Sequence, residues 1–107
     1  MIGEVHQRAR VRLDLLEHFL YIGENNFEAA ERFLDAAEAA FTMLAQMPGM
    51  GAIREFDHPG LVGLRSWPIA GFESFLIFYL PHKNGIDVLR VVSGFRDLDT
   101  IFGAAKD

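Results

Sequence analysis

The sequence predicts an α+β domain of order (β)ααβββ: an antiparallel helix hairpin packed on an antiparallel sheet, with a short C-terminal helix. Three observations predict it. Phe75 to Leu80 and Ile86 to Val92 are apolar, β-rich runs joined by the polar break Pro81-His82-Lys83-Asn84-Gly85, which reads as a hairpin. Residues 10–24 and 26–47 carry helical periodicity. Between these regions lies one further β-like run, Leu61 to Ile69.

The first segment, Glu4 to Ala9, is either a short strand with Val5 its one strong β-former or the start of a helix. From about Arg10 to Glu24, Val11, Leu15, Phe19 and Ile22 form one stripe, and Leu13, Leu16 and Leu20 widen it. So broad a stripe predicts contacts on more than one side of the helix. Asp14, Glu17 and His18 fill much of the remainder, and Asp14 with Glu17 reads as a solvated face rather than an acid–base pair. Gly23 stops the helix.

Asn25 as N-cap with Glu28 three residues later resembles a capping box and starts the next helix, which runs to about Met47. Ala30, Phe33, Leu34, Ala37, Phe41 and Leu44 give its inward stripe, and Pro48-Gly49 ends it. Met50 to Gly60 is a connecting loop. Pro68 marks an edge or end of the strand that follows, and Gly71 turns the chain into the hairpin. In the hairpin, strict alternation puts Leu76, Phe78 and Leu80 on one face and Phe75, Ile77 and Tyr79 on the other. It places Ile86, Val88, Arg90 and Val92 together, opposite Asp87, Leu89, Val91 and Ser93. Both strands are therefore apolar on both faces, as central strands are. After Gly94, Asp97 can cap a short helix whose Leu98, Ile101 and Phe102 face inward.

Two helices cover only one face of a sheet. The second face must meet the C-terminal helix, a second copy or a partner chain. Left open, it predicts self-association of the isolated chain.

The chain has 107 residues, enough for one domain (1–107) and no more. Its net charge of −5 disfavours broad contact with nucleic acid, whose affinity comes from Lys and Arg on phosphates. It has no cysteine, and no apolar run approaches the roughly 20 residues needed to cross a bilayer. The expectation is a cytoplasmic protein without membrane contact. His6, His18, His58 and His82 show no ligand spacing, so no metal and no cofactor is expected.

Arg65, Arg90 and Arg96 are the charged site candidates, and Trp67 and Phe95 the aromatic ones. Each has a plainer reading. Arg90 can pair with a carboxylate such as Asp87 or Asp97, Arg96 can belong to a local cap, and Trp67 can be core. Tyr79 reads as a packed residue with its hydroxyl satisfied.

The segments Leu13-Asp14-Leu15-Leu16 and Tyr21-Ile22, Asn25 to Arg32 (NNFEAAER), Leu44 to Gly51 (LAQMPGMG), Gly63-Leu64-Arg65, Phe78-Tyr79 and Leu89 to Leu98 (LRVVSGFRDL), in that order and spacing, resemble the RelE/ParE superfamily of small bacterial toxins, nearer to its ParE-like branch. The resemblance implies the toxin half of a type II toxin–antitoxin (plasmid stabilization) operon, neutralised by a cognate antitoxin and acting by binding DNA gyrase. A homodimer or a toxin–antitoxin hetero-oligomer is the implied assembly. Arg65, Trp67, Arg90, Phe95 and Arg96 would then contact target or antitoxin. The RelE-like alternative is a ribosome-dependent mRNA endonuclease using Arg65, Arg90 and Arg96 as phosphate-side cations. Against it, Ser93 and Phe95 stand where members of the superfamily often carry His and Arg around the Gly, and no Tyr or His follows Phe95. A third alternative is a non-toxic relic that only binds its partner.

Overall fold

The structure, a computed structural model, describes residues 3–94 and 98–103; the expectations placed on Phe95, Arg96 and Asp97 lie outside the described residues. The fold is α+β, as the periodicities predict. A strand β1 (Glu4–Gln7) leads into helices α1 (Ala9–Gly23) and α2 (Phe27–Gln46). Then come β2 (Ala52–Ile53), β3 (Arg65–Ile69), β4 (Phe72–His82), β5 (Gly85–Ser93) and a short helix α3 (Leu98–Phe102). The strands form one sheet in the order β1-β5-β4-β3-β2.

The ambiguous first segment is thus a strand. It lies parallel to β5, with Val5 opposite Ile86, while every other pair in the sheet is antiparallel. Val5 is its one residue packed against the core. The loop expected over Met50 to Gly60 contains the two-residue β2, too short to show a period, and Leu61 belongs to a 3-10 turn before β3 starts at Arg65.

The cap of α2 is shifted by one residue. Asn26, not Asn25, has the extended backbone of an N-cap, and its side chain accepts the Ala29 N–H at 3.0 Å. Asn25 N–H instead closes the end of α1 on the Ile22 carbonyl. Phe33, Ala37, Phe41 and Leu44 of α2 are buried in the core as expected, Leu34 is partly buried against it, and Ala30 is buried beside Gly23 of α1. The β4–β5 turn is tighter than the polar break suggests, because Pro81 pairs with Ile86 and His82 with Gly85, leaving Lys83-Asn84 at the tip. Pro81 is tolerated because β3 pairs with β4 no further than Tyr79. Gly71, at φ +83, makes the turn from β3 into β4, a backbone conformation that other residues rarely adopt.

Phe75, Ile77 and Tyr79 face the helices, and Phe78 faces away with Leu76 and Leu80 beside it, as alternation predicts. On β5 strict alternation fails. The register moves from Phe78–Arg90 to Tyr79–Val88, so Leu89 is an extra, bulged residue. Beyond it the phase inverts: Val91 joins Ile86 and Val88 under the helices, and Val92 joins Leu89 on the other face. That second face is closed by the chain itself. Leu61 and Leu64 of the β2–β3 connection and Ile101 and Phe102 of α3 cover Phe78, Leu89 and Val92. Of the three covers considered for this face, the C-terminal helix is the one present, joined by the connection before β3. Among the described residues no helix is long and apolar enough to cross a membrane.

Candidate functional site

β1 ends at Gln7 opposite Val88, and Arg8 N–H reaches the Val88 carbonyl at 3.1 Å before α1 begins. The outer edge of β5 would be bare beyond that point. Unpaired backbone groups at a buried edge are costly. Two side chains of α1, one helical turn apart, supply the missing partners. Asp14 Oδ2 accepts the Val91 N–H at 3.0 Å, and His18 Nε2 lies 2.8 Å from the Val91 carbonyl, to which it donates. The His18 ring packs edge-on against Phe33 and Phe75.

Asp14 is therefore no part of a solvated face. It is only 2% exposed, and its carboxylate gathers cations: Arg90 Nε at 2.8 Å on one oxygen, Arg90 Nη2 and Arg10 Nε each at 3.1 Å on the other. The two contacts from Arg90 make the bidentate fork that suits a guanidinium. Periodicity along α1 misplaces Asp14 because its partners are 76 and 77 residues away on β5. Arg90 does pair with a carboxylate, that of Asp14 rather than Asp87; the other candidate, Asp97, lies outside the described residues. Its Nη1 also approaches the Ile101 carbonyl of α3, at 3.4 Å. Asp87 instead takes Arg8, whose Nη2 is 3.0 Å away. A pocket of about 320 Å³ opens beside this cluster, with Arg8, Arg10 and Arg90 on its polar side and Leu61, Leu89 and Phe102 on its apolar side.

Arg65 lies elsewhere. It pairs across the sheet with Tyr79, and cross-strand partners share a face, so it sits on the helix side, whereas Arg90 pairs with Phe78 on the opposite side. Arg65 Nη1 donates to the carbonyls of Gly49 at 3.1 Å and Gly51 at 2.7 Å. Tyr79 pins the same turn. Its hydroxyl donates to the Pro48 carbonyl and accepts the Gly51 N–H, both at 2.8 Å, so the buried phenol is satisfied as expected. Gly51 is the residue that permits this approach, since a side-chain carbon there would collide with the Tyr79 hydroxyl. Burial pushes the Tyr79 phenol above its ordinary value of 10.0, against the opposing pulls of the Gly51 hydrogen bond and the Arg65 charge.

Trp67 is half-buried on the helix side and lines a cleft of about 230 Å³ with Ala36, Ala39, Ala40, Met43 and Ala70. Arg65 and Trp67 thus share the helix side of β3, Arg90 lies on the other face, and Phe95 and Arg96 lie outside the described residues. A further cation, Arg54, escaped notice because it stands in the β2–β3 connection. Its guanidinium lies 5.5 Å from the centre of the Phe78 ring, and its Nε donates to Ser66 Oγ at 3.0 Å.

The least explained surface is the outer side of α1. Leu13, Leu16 and Leu20 are 51%, 52% and 57% exposed. The steps of three and four between the leucines align them along one face. They are the residues that made the stripe of α1 too broad for one contact, which was the legible signal for a second.

Comparison with known proteins agrees with this architecture. A solved chain titled "Chromosomal ParDE TA system from P. aeruginosa" superposes with a TM-score of 0.70 over 88% of this chain and 98% of its own, at 17% identity, which shows a shared fold. No curated protein matches the chain in sequence. The family model described as "ParE toxin of type II toxin-antitoxin system, parDE" matches residues 5–98, so the chain belongs to the ParE toxin family.

Proposed function

We propose that this chain is a toxin that acts by binding, inhibits DNA gyrase, and is held inactive by a cognate antitoxin in the cytoplasm. Family membership supports the toxin–antitoxin context. The observation that favours binding over mRNA cleavage is the separation of Arg65 and Arg90. Phosphodiester cleavage needs an acid, a base and cations converging on one phosphate. Here the two arginines sit on opposite faces of the sheet. One is engaged by the carbonyls of Gly49 and Gly51, the other by Asp14.

The outer stripe of α1 is the surface we assign to the antitoxin. An amphipathic segment with apolar residues at helical spacing would bury Leu13, Leu16 and Leu20. Changing Leu16 and Leu20 to Lys should leave folding intact, because both are half exposed, and weaken capture by the antitoxin at least tenfold in a titration.

The deciding experiment is controlled expression of the chain alone in bacteria, with new DNA and new protein labelled separately. Early loss of DNA synthesis with filamentation, followed by inhibition in a supercoiling assay, is the expected result. Immediate loss of protein synthesis would overturn it in favour of mRNA cleavage. Normal growth with soluble protein present would leave a partner-binding relic.

A further inference from the structure

The parallel pairing of β1 with β5 creates a cluster that no local spacing reveals. Glu4 lies opposite Gly85, and Gly85 lies opposite His82, so the three form one row across β1, β5 and β4. His6 is two residues further along β1 and shares the face of Glu4. A side chain on the middle strand would separate the outer two. Gly85 has none, and a Cβ at that position would collide with the backbone of Glu4. Side chains from strands that are not neighbours therefore meet above the glycine. The rings of His6 and His82 are 5.0 Å apart between centres, and His6 Nε2 is 3.1 Å from Glu4 Oε1. One ligand atom from each of Glu4, His6 and His82 lies within 4.8 Å of the others.

A second observation falls on one of these same residues. His82 Nε2 is buried and has no hydrogen-bond partner. A buried polar atom without a partner is unusual and calls for a reason. The other ring nitrogen, Nδ1, accepts the Asn84 N–H at 3.2 Å, which leaves the proton of the neutral ring on Nε2.

We propose that Glu4, His6 and His82 form a binding site for a divalent transition metal of the zinc class. Two imidazoles and one carboxylate are the donor set such ions take, and ligand distances of about 2.1 Å at tetrahedral angles put donors about 3.4 Å apart. The His6–Glu4 separation is already close to that, and side-chain rotations about 1 Å in reach bring the set together. Glu4 and His6 are half-exposed, which leaves a fourth position to water. Binding through His82 Nε2 moves its proton to Nδ1 and turns the Asn84 N–H out to solvent at the hairpin tip. The ion would tie β1 to β4 across the intervening strand, anchoring an edge strand of four residues that exposes most of its side chains.

The test uses the purified chain and zinc chloride alone. Calorimetric titration should give one site per chain, with affinity falling at least tenfold in His6→Ala and in His82→Ala and unchanged in His58→Asn. Zinc at tenfold excess over its Kd should raise Tm by about 5 °C. Both alanine variants should show the metal-free Tm of the parent within a few degrees, because neither side chain is core. The specific readout is the Asn84 amide in a ¹⁵N-correlation spectrum, which should shift on zinc addition in the parent and stay fixed in His82→Ala. Zinc binding that survives both alanine variants, no binding at micromolar concentrations, or an Asn84 amide that does not move would each overturn the proposal.

Discussion

The two faces of the sheet are apolar to a similar degree but covered by different means. On one, helices of 15 and 20 residues bury Val11, Phe33, Phe41, Leu44, Ile77, Tyr79 and Val88. On the other, a connection and a helix of 5 residues cover Phe78, Leu89 and Val92. A helix so short does not form in water by itself, so α3 exists because Ile101 and Phe102 dock. The helix side carries its own backbone hydrogen bonds and most of the burial. The loop side is held by fewer apolar contacts and should open at lower free energy. Equal hydrophobicity in sequence does not mean equal stability in structure; the regularity of the cover decides it.

Paired truncations test this most strongly. Phe33 is fully buried and touches Phe72, Phe75 and His18, so Phe33→Ala should cost about 3–5 kcal/mol in urea unfolding. Phe102→Ala, on the loop side, should cost about 1–2 kcal/mol, because α3 can relax around the gap. Equal losses would break the comparison.

Next in size is Asp14→Ala. Arg90 bridges the two sides, reaching Asp14 of α1 and Ile101 of α3. Removing the carboxylate leaves Arg90 and the Val91 N–H without their main acceptor, with an expected cost of about 3 kcal/mol. Hydrogen exchange should show Val91 losing protection before the rest of β5 does. Uniform loss would mean that Asp14 supports the whole core rather than one edge.

The smallest effect is expected at Tyr79. Tyr79→Phe removes a donor to Pro48 and leaves the Gly51 N–H unpaired, at a cost of about 1 kcal/mol near neutral pH. The phenol pKa is raised on folding, so the folded state holds this proton more tightly than the unfolded chain does. Its contribution is complete below about pH 10 and is lost as pH rises through the raised value. The gap between parent and variant should therefore narrow above pH 10, and a constant gap would show that the phenol does not titrate with unfolding.

The comparison also explains what the sequence could disclose. The inward residues of α2, the faces of β4 and the docking residues of α3 follow local periods, and a local period is visible in one dimension. The bulge at Leu89 is not, because it is set by how β5 pairs with β4; Val91 and Val92 exchange faces although their neighbours read as strict alternation. Asp14 was illegible for the same reason. A carboxylate three residues from Glu17 reads as surface until a sheet edge is laid against it. The site candidates fared likewise. Arg65 and Arg90 were identifiable as cations, but their separation by the sheet follows from register alone. The stripe of α1 was visible in its width, and the Glu4, His6 and His82 cluster was hidden by a sequence separation that parallel pairing abolishes.

That parallel strand also sets an order of events during synthesis. β1 and α1 leave the ribosome early, yet Val5 waits for Ile86 and Asp14 waits for Arg90, 76 residues later. The helix hairpin can form at once, while the sheet that gives Asp14 its partners cannot close until β5 emerges. A nascent chain stalled before Gly85 would have both long helices but neither of these partners. Completion of the domain is therefore tied to translation of its final strand, and a prematurely released fragment would lack the fold from which any toxicity must come.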